Sequence, residues 1–183
     1  MIFAATAASA HPTQGVIGGF ASGFLHPILG WDHVVAMVAV GLWGAFLGRP
    51  AIYLLPVIFP VVMSFGGALG IVGGPIPGIE IGIDMSGIVL GLAVFFGARP
   101  PIWIASVLVG LFGLFHGYAH GVELPEAANP FAYALGFVIA TGLLHLTGIA
   151  LGFLTLLPKG QYVVRAAGLG ISAVGAAFLL GYA

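Results

Sequence analysis

The sequence specifies an all-α, polytopic membrane helix bundle with six transmembrane spans, the first and fifth broken or kinked. Composition is the first reason: of 183 residues, 61% are hydrophobic and 5% charged, with a mean hydropathy of +1.20. A soluble domain carries roughly 25% charged residues, so this alphabet cannot furnish a water-facing surface. Segmentation is the second: Pro, Gly and charged residues divide the chain into apolar runs near the ~20 residues that a membrane helix needs. The third is glycine, present 31 times without a collagen period. It recurs as Gly15/Gly19/Gly23, Gly66/Gly70/Gly74 and Gly113/Gly117/Gly121, small-xxx-small runs that let helices in lipid approach closely.

The spans cover about residues 14–48, 51–72, 79–98, 101–122, 130–157 and 161–182. Pro27 lies inside the first and removes a helical hydrogen bond. The pattern therefore predicts a short segment over 14–25, an irregular turn at His26–Gly30 and a longer helix over 31–48. A separate span over 14–25 is excluded, because about 12 residues are too few to cross. The fifth span is overlong and is expected to tilt strongly or kink around Gly142 and Gly148.

Arg49 follows the first span, Arg99 the third, and Lys159 with Arg165 stand at the junction of the fifth and sixth. Six spans put all four on one side, which the positive-inside bias makes cytoplasmic, with both termini outside. Glu80, Asp84, Glu123 and Glu126 fall at or near the opposite ends. Ala8-Ser9-Ala10 has the A-x-A form of a signal cleavage site after a short apolar run. Residues 1–10 are accordingly read as a signal-peptide remnant, and 11–183 as a single transmembrane domain starting at His11-Pro12. The chain has no cysteine, which excludes disulfides, thiolate metal sites and thiol catalysis. With a net charge of −1 and no basic patch, nucleic acid is not an expected partner. No phosphate-cradling motif is visible, so neither ATP use nor an ATPase subunit is expected of this chain.

The polar residues concentrate in two stretches, "HPILGWDH" at 26–33 and "FHGYAHGVE" at 115–123. An ionised group at mid-membrane costs roughly 2.5–3.5 kcal/mol, so such residues face the bundle interior and usually have a task. His116, His120 and Glu123 stand at i, i+4 and i+7, on one face of a helix. His26 and His33 flank the Pro27 break, and Asp32 beside His33 is a direct ligand or the partner that sets an imidazole tautomer. Glu80 and Asp84 form an i, i+4 carboxylate pair that attracts cations. His145, isolated in the fifth span near Thr141 and Thr147, is read as structural. Imidazole and carboxylate without thiolate suit Zn, Ni, Co, Cu(II) or Fe(II), and the ligand types do not choose among them.

In these two stretches the sequence resembles the HupE/UreJ family of bacterial nickel/cobalt permeases. One family signature is matched by His26-Pro27-Ile28-Leu29-Gly30-Trp31-Asp32-His33, the other by Phe115-His116-Gly117-Tyr118-Ala119-His120-Gly121-Val122-Glu123. The resemblance implies import of Ni²⁺, or Co²⁺, across the bacterial cytoplasmic membrane for metalloenzyme assembly. It also implies that His26, Asp32, His33, His120 and Glu123 are central, with Glu80 where the family carries an acidic residue. The expectation is a secondary transporter and not an enzyme, whose metal site comprises His26, Asp32, His33, Glu80, His116, His120 and Glu123. Its partners are the lipid bilayer and a divalent ion (Ni²⁺, Co²⁺ or Zn²⁺) as cargo, with no prosthetic group. The competing expectation is an intramembrane zinc-dependent hydrolase, which the lack of an H-E-x-x-H stretch disfavours.

Overall fold

The computed structural model describes residues 15–73, 76–124 and 129–182, which contain helices and no strand. The helices are α1 (Gly15–Leu29), α2 (Trp31–Leu47), α3 (Ala51–Val72), α4 (Ile79–Phe96), α5 (Ile102–Val122), α6 (Pro130–Gly152) and α7 (Gly160–Leu179). Each of α3 to α7 is long and apolar enough to cross a bilayer, and the α1–α2 pair, bent by 80°, makes up to six spans. The signal-like residues 1–10, His11 and Glu126 lie outside the described residues.

The first span breaks later than expected. Helix α1 runs through Pro27 to Leu29, and only Gly30 leaves the helical conformation, at φ −90° and ψ 112°. Pro27 sits so near the end that it removes just the bond to Gly23, while the Gly30 amide still reaches the His26 carbonyl at 3.4 Å. In the fifth span, α6 passes through Gly142 and Gly148 without a break and tightens into a 3₁₀ turn at Phe153–Leu156. Its start is well specified, with Pro130 in the first turn and the Asn129 side chain accepting from the Ala132 amide at 3.0 Å.

The helices pack as α3 on α5, α4 on α7, and α1 and α2 on α6. Glycine sets the first of these contacts. A Cβ at Gly117 would fall on the Met63 backbone carbonyl, and one at Gly66 on the Leu114 carbonyl. Two of the predicted small-residue runs thus face each other across α3 and α5, backbone against backbone. Trp43, Phe59, Met37, Leu55 and Leu90 fill the core. The Trp43 indole donates to the Ala98 carbonyl at 3.1 Å, so this tryptophan packs inside while Trp103 and Tyr53 are exposed.

Charge is segregated along the bundle. Arg49, Arg99, Lys159 and Arg165 gather where α2, α4 and α6 end and α3, α5 and α7 begin. There the Arg99 guanidinium lies 4.9 Å from the Phe46 ring centroid. Arg165 donates from Nε to the Phe95 carbonyl at 2.6 Å, satisfying one of the last carbonyls of α4. The junction of α1 and α2, the start of α4 and the end of α5 belong to the opposite end. Both histidine-rich stretches are there.

Candidate metal centre

Three helices each deliver one imidazole to that end: His26 from α1, His33 from α2 and His120 from α5. One ring nitrogen from each lies within 4.8 Å of the other two. Metal–nitrogen bonds of about 2.0–2.1 Å would draw such atoms to about 4.2 Å or less, a movement within reach of side-chain rotation. His33 and His120 are buried, whereas His26 is partly open.

Local folding explains the convergence. The break at Gly30 lets α1 and α2 diverge by 80°, so His26 and His33 approach the same point from two directions. Their ring centroids are 6.0 Å apart, and that of His26 is 4.7 Å from His120. Space at Gly30 is tight: a Cβ there would meet Asp32 Oδ1 at 2.9 Å and His33 Nδ1 at 3.1 Å.

Carboxylates surround the imidazoles. Asp32 Oδ2 contacts His33 Nδ1 at 2.7 Å. Glu123 Oε2 lies 3.7 Å from His26 Nε2 and 3.9 Å from His120 Nδ1. Glu123 caps α5 just beyond its last turn; partial burial and the nearby charge of Glu80 push its carboxyl above the ordinary value. Asp84, half-buried one turn inside Glu80 on α4, feels the charge of Asp32.

His116 adjoins the three-imidazole group, and Glu80 is the more distant of the remaining expected site residues. His116 is fully buried with its ring centroid 5.1 Å from that of His33. Its Nδ1 donates to the Phe112 carbonyl at 2.9 Å, so its Nε2 carries a lone pair, and that atom has no partner. Glu80 is exposed at the start of α4 and reaches the cluster through its charge on Glu123.

Two aromatic residues at the site carried no signal in the sequence. Phe137 lies 4.3 Å from the His120 ring centroid, and Tyr133 lies 6.2 Å from that of His26. They are one turn apart on α6, like many apolar pairs in this chain, and they wall the cluster at His26 and His120. An apolar cavity of about 270 Å³ flanks them, with His120, Gly117, Met63 and Ala134 also in its lining.

Comparison with known proteins places the chain in a family. A family model described as "HupE / UreJ protein" matches residues 1–178. A relative named "Protein HupE", from Rhizobium leguminosarum bv. viciae, is 44% identical over 163 residues, which cover 89% of this chain and 85% of the relative. No solved structure matches. With a family match over nearly its whole length and a relative this similar, the chain belongs to the HupE / UreJ family.

Proposed function

We propose that this chain is a secondary transporter that imports Ni²⁺, or Co²⁺, across the bacterial cytoplasmic membrane through the intramembrane His/Asp/Glu site. The observation that carries the reading is the meeting of His26, His33 and His120, from three helices, at the end of the bundle opposite all four basic residues. With the basic end cytoplasmic, the cluster is periplasmic and accepts the ion from outside. Membership of the HupE / UreJ family supports the same reading.

The ion is gathered by Glu80, Asp84 and Glu123, partly dehydrates, and binds His26, His33 and His120. Asp32 holds the hydrogen of His33 on Nδ1, which leaves the Nε2 lone pair for the metal. Its negative charge also offsets part of the charge that the ion brings into a dry interior. His116, one turn deeper on α5, receives the ion next through its free Nε2. Moving two charges inward across 100 mV yields about 4.6 kcal/mol, enough to drive uptake without ATP.

Uptake of ⁶³Ni or ⁵⁷Co into proteoliposomes tests the proposal, with Asp32→Asn and His120→Ala as controls. The parent accumulates metal in response to an inside-negative potential, and both variants lose most of the flux. Equal transport by parent and variants would remove the site. A parent that binds metal, moves none, and hydrolyses a substrate when loaded with zinc would return the question to the hydrolase.

A further inference from the structure

We propose that His145, with the Thr141 hydroxyl and the Pro56 carbonyl, forms a second station for the divalent ion, deeper in the bundle than the three-imidazole cluster. The inference rests on the transport reading and extends it inward.

His145 is 1% exposed and Thr141 is fully buried. Neither ring nitrogen of His145 makes a well-formed hydrogen bond, nor does Thr141 Oγ1. Buried polar atoms are nearly always paired, so incompletely satisfied groups on one helix face require a reason. Thr141 and His145 are four residues apart on α6 and present their polar groups on one face.

Helix α3 adds a third group. Pro60 has no N–H, so the carbonyl of Pro56, one turn earlier, has no helical donor. One His145 ring nitrogen faces that carbonyl as a strained partner, and the other is left open. In a membrane helix a carbonyl freed in this way is tolerated where another group or a cavity satisfies it. Imidazole, hydroxyl and carbonyl together make a weaker site than three imidazoles, suited to accepting an ion and releasing it onward.

The position continues the route. From His120 to His116 is one turn along α5, away from the periplasmic end. The Phe59 ring links His116 to His145, with centroids 5.3 Å from the first and 5.4 Å from the second. His145 lies in the second half of α6 and Pro56 in the first half of α3, both toward the basic end. A line of imidazoles therefore runs from His26 through His120, His33 and His116, is interrupted by one aromatic ring, and resumes at His145.

A structural His145 would serve only to cover the Pro56 carbonyl, and the test separates the roles. His145→Gln keeps an N–H donor of similar reach but is a far poorer metal ligand; Thr141→Val keeps the volume and removes the hydroxyl. The readouts are ⁶³Ni uptake in proteoliposomes, ⁶³Ni equilibrium binding in detergent, and thermal unfolding. The expected result is uptake at least about tenfold lower in His145→Gln, the scale of losing a group that supports a metal site. Tight binding at the outer cluster and the unfolding midpoint stay as in the parent, and Thr141→Val falls between. The parent also binds a second, weaker equivalent of Ni²⁺ that His145→Gln lacks. Parental uptake by His145→Gln overturns the proposal, as does loss of outer-cluster binding in both variants, which would mark these residues as structural. Failure of the parent itself to take up metal overturns the transport reading instead; the second equivalent then decides the station on its own.

Discussion

The Nε2 atoms of His33 and His120 stand 2.8 Å apart, a hydrogen-bond distance between two groups that cannot both donate and cannot both accept. With the His33 hydrogen on Nδ1, facing the Asp32 carboxylate, His33 Nε2 would accept and His120 Nε2–H would donate. A metal ion that takes both lone pairs must displace that hydrogen. It either leaves or moves to His120 Nδ1, where Glu123 Oε2 waits at 3.9 Å. Neutral imidazole is the binding form, so protons compete with the ion. Ni²⁺ affinity is therefore expected to weaken as the pH is lowered through the range in which the cluster takes up protons. Calorimetry in buffers of different ionisation enthalpy measures both the affinity and the protons exchanged; an affinity flat across that range contradicts the assignment.

Asp32→Asn keeps the shape and removes the charge. Without the carboxylate, His33 loses the partner that holds its hydrogen on Nδ1. Metal affinity should fall about 10–100-fold, the usual effect of losing such a partner, while the protein stays folded. Equilibrium binding with ⁵⁷Co measures it, and an unchanged dissociation constant removes Asp32 from the site.

Gly30→Ala should mimic that loss without touching a ligand. Its backbone angles are open to any residue, but the new Cβ would press on Asp32 Oδ1 and His33 Nδ1. The expected outcome is normal expression and thermal unfolding, with Ni²⁺ binding weakened about as much as in Asp32→Asn. Wild-type affinity would show that the pair yields freely.

Glu123 supplies a second pH dependence. Partial burial and Glu80 raise its carboxyl above the ordinary value, so its charge is present above that raised pKa and lost as pH falls through it. Cation capture by Glu123 should then fade at a pH where an ordinary exposed carboxylate is still ionised. Comparing the initial uptake rate of Glu123→Gln with that of the parent across pH reveals it: the two converge on acidification. A constant ratio at every pH would show that the charge of Glu123 plays no part.

Gly117→Ala probes the scaffold between His116 and His120. Its Cβ would collide with the Met63 carbonyl, and neither backbone can yield without parting α3 from α5. Overpacking of this kind typically costs about 1–3 kcal/mol, and here it also displaces both histidines. Gly142→Ala is the control, because nothing lies within 4 Å of the position and alanine favours helix. A lowered unfolding midpoint in detergent for the first variant and not the second is expected; equal midpoints would mean that the α3–α5 contact is not close-packed.

The helical spans were legible because a bilayer demands long apolar runs and tolerates few charges, constraints that act on each segment by itself. The same held for the separation of basic from metal-competent residues, since alternating spans return every second connection to one side. Pro27 misled, because one missing N–H near a helix end costs a single bond, and Gly30 determined where the helix stopped.

Which side chains meet was settled only in three dimensions. His26 and His33 are local to each other, but His120 joins them through an 80° bend and the packing of distant helices, which no spacing encodes. His116 and Glu80 share the composition of the cluster yet stand outside it, one bonded to its own helix and the other exposed. Phe137 and Tyr133 are silent in the sequence, because apolar neighbours are everywhere in it, and they matter through a contact across helices. Membrane insertion reads the chain one segment at a time; coordination needs several segments at once, and close glycine-mediated packing brings them together.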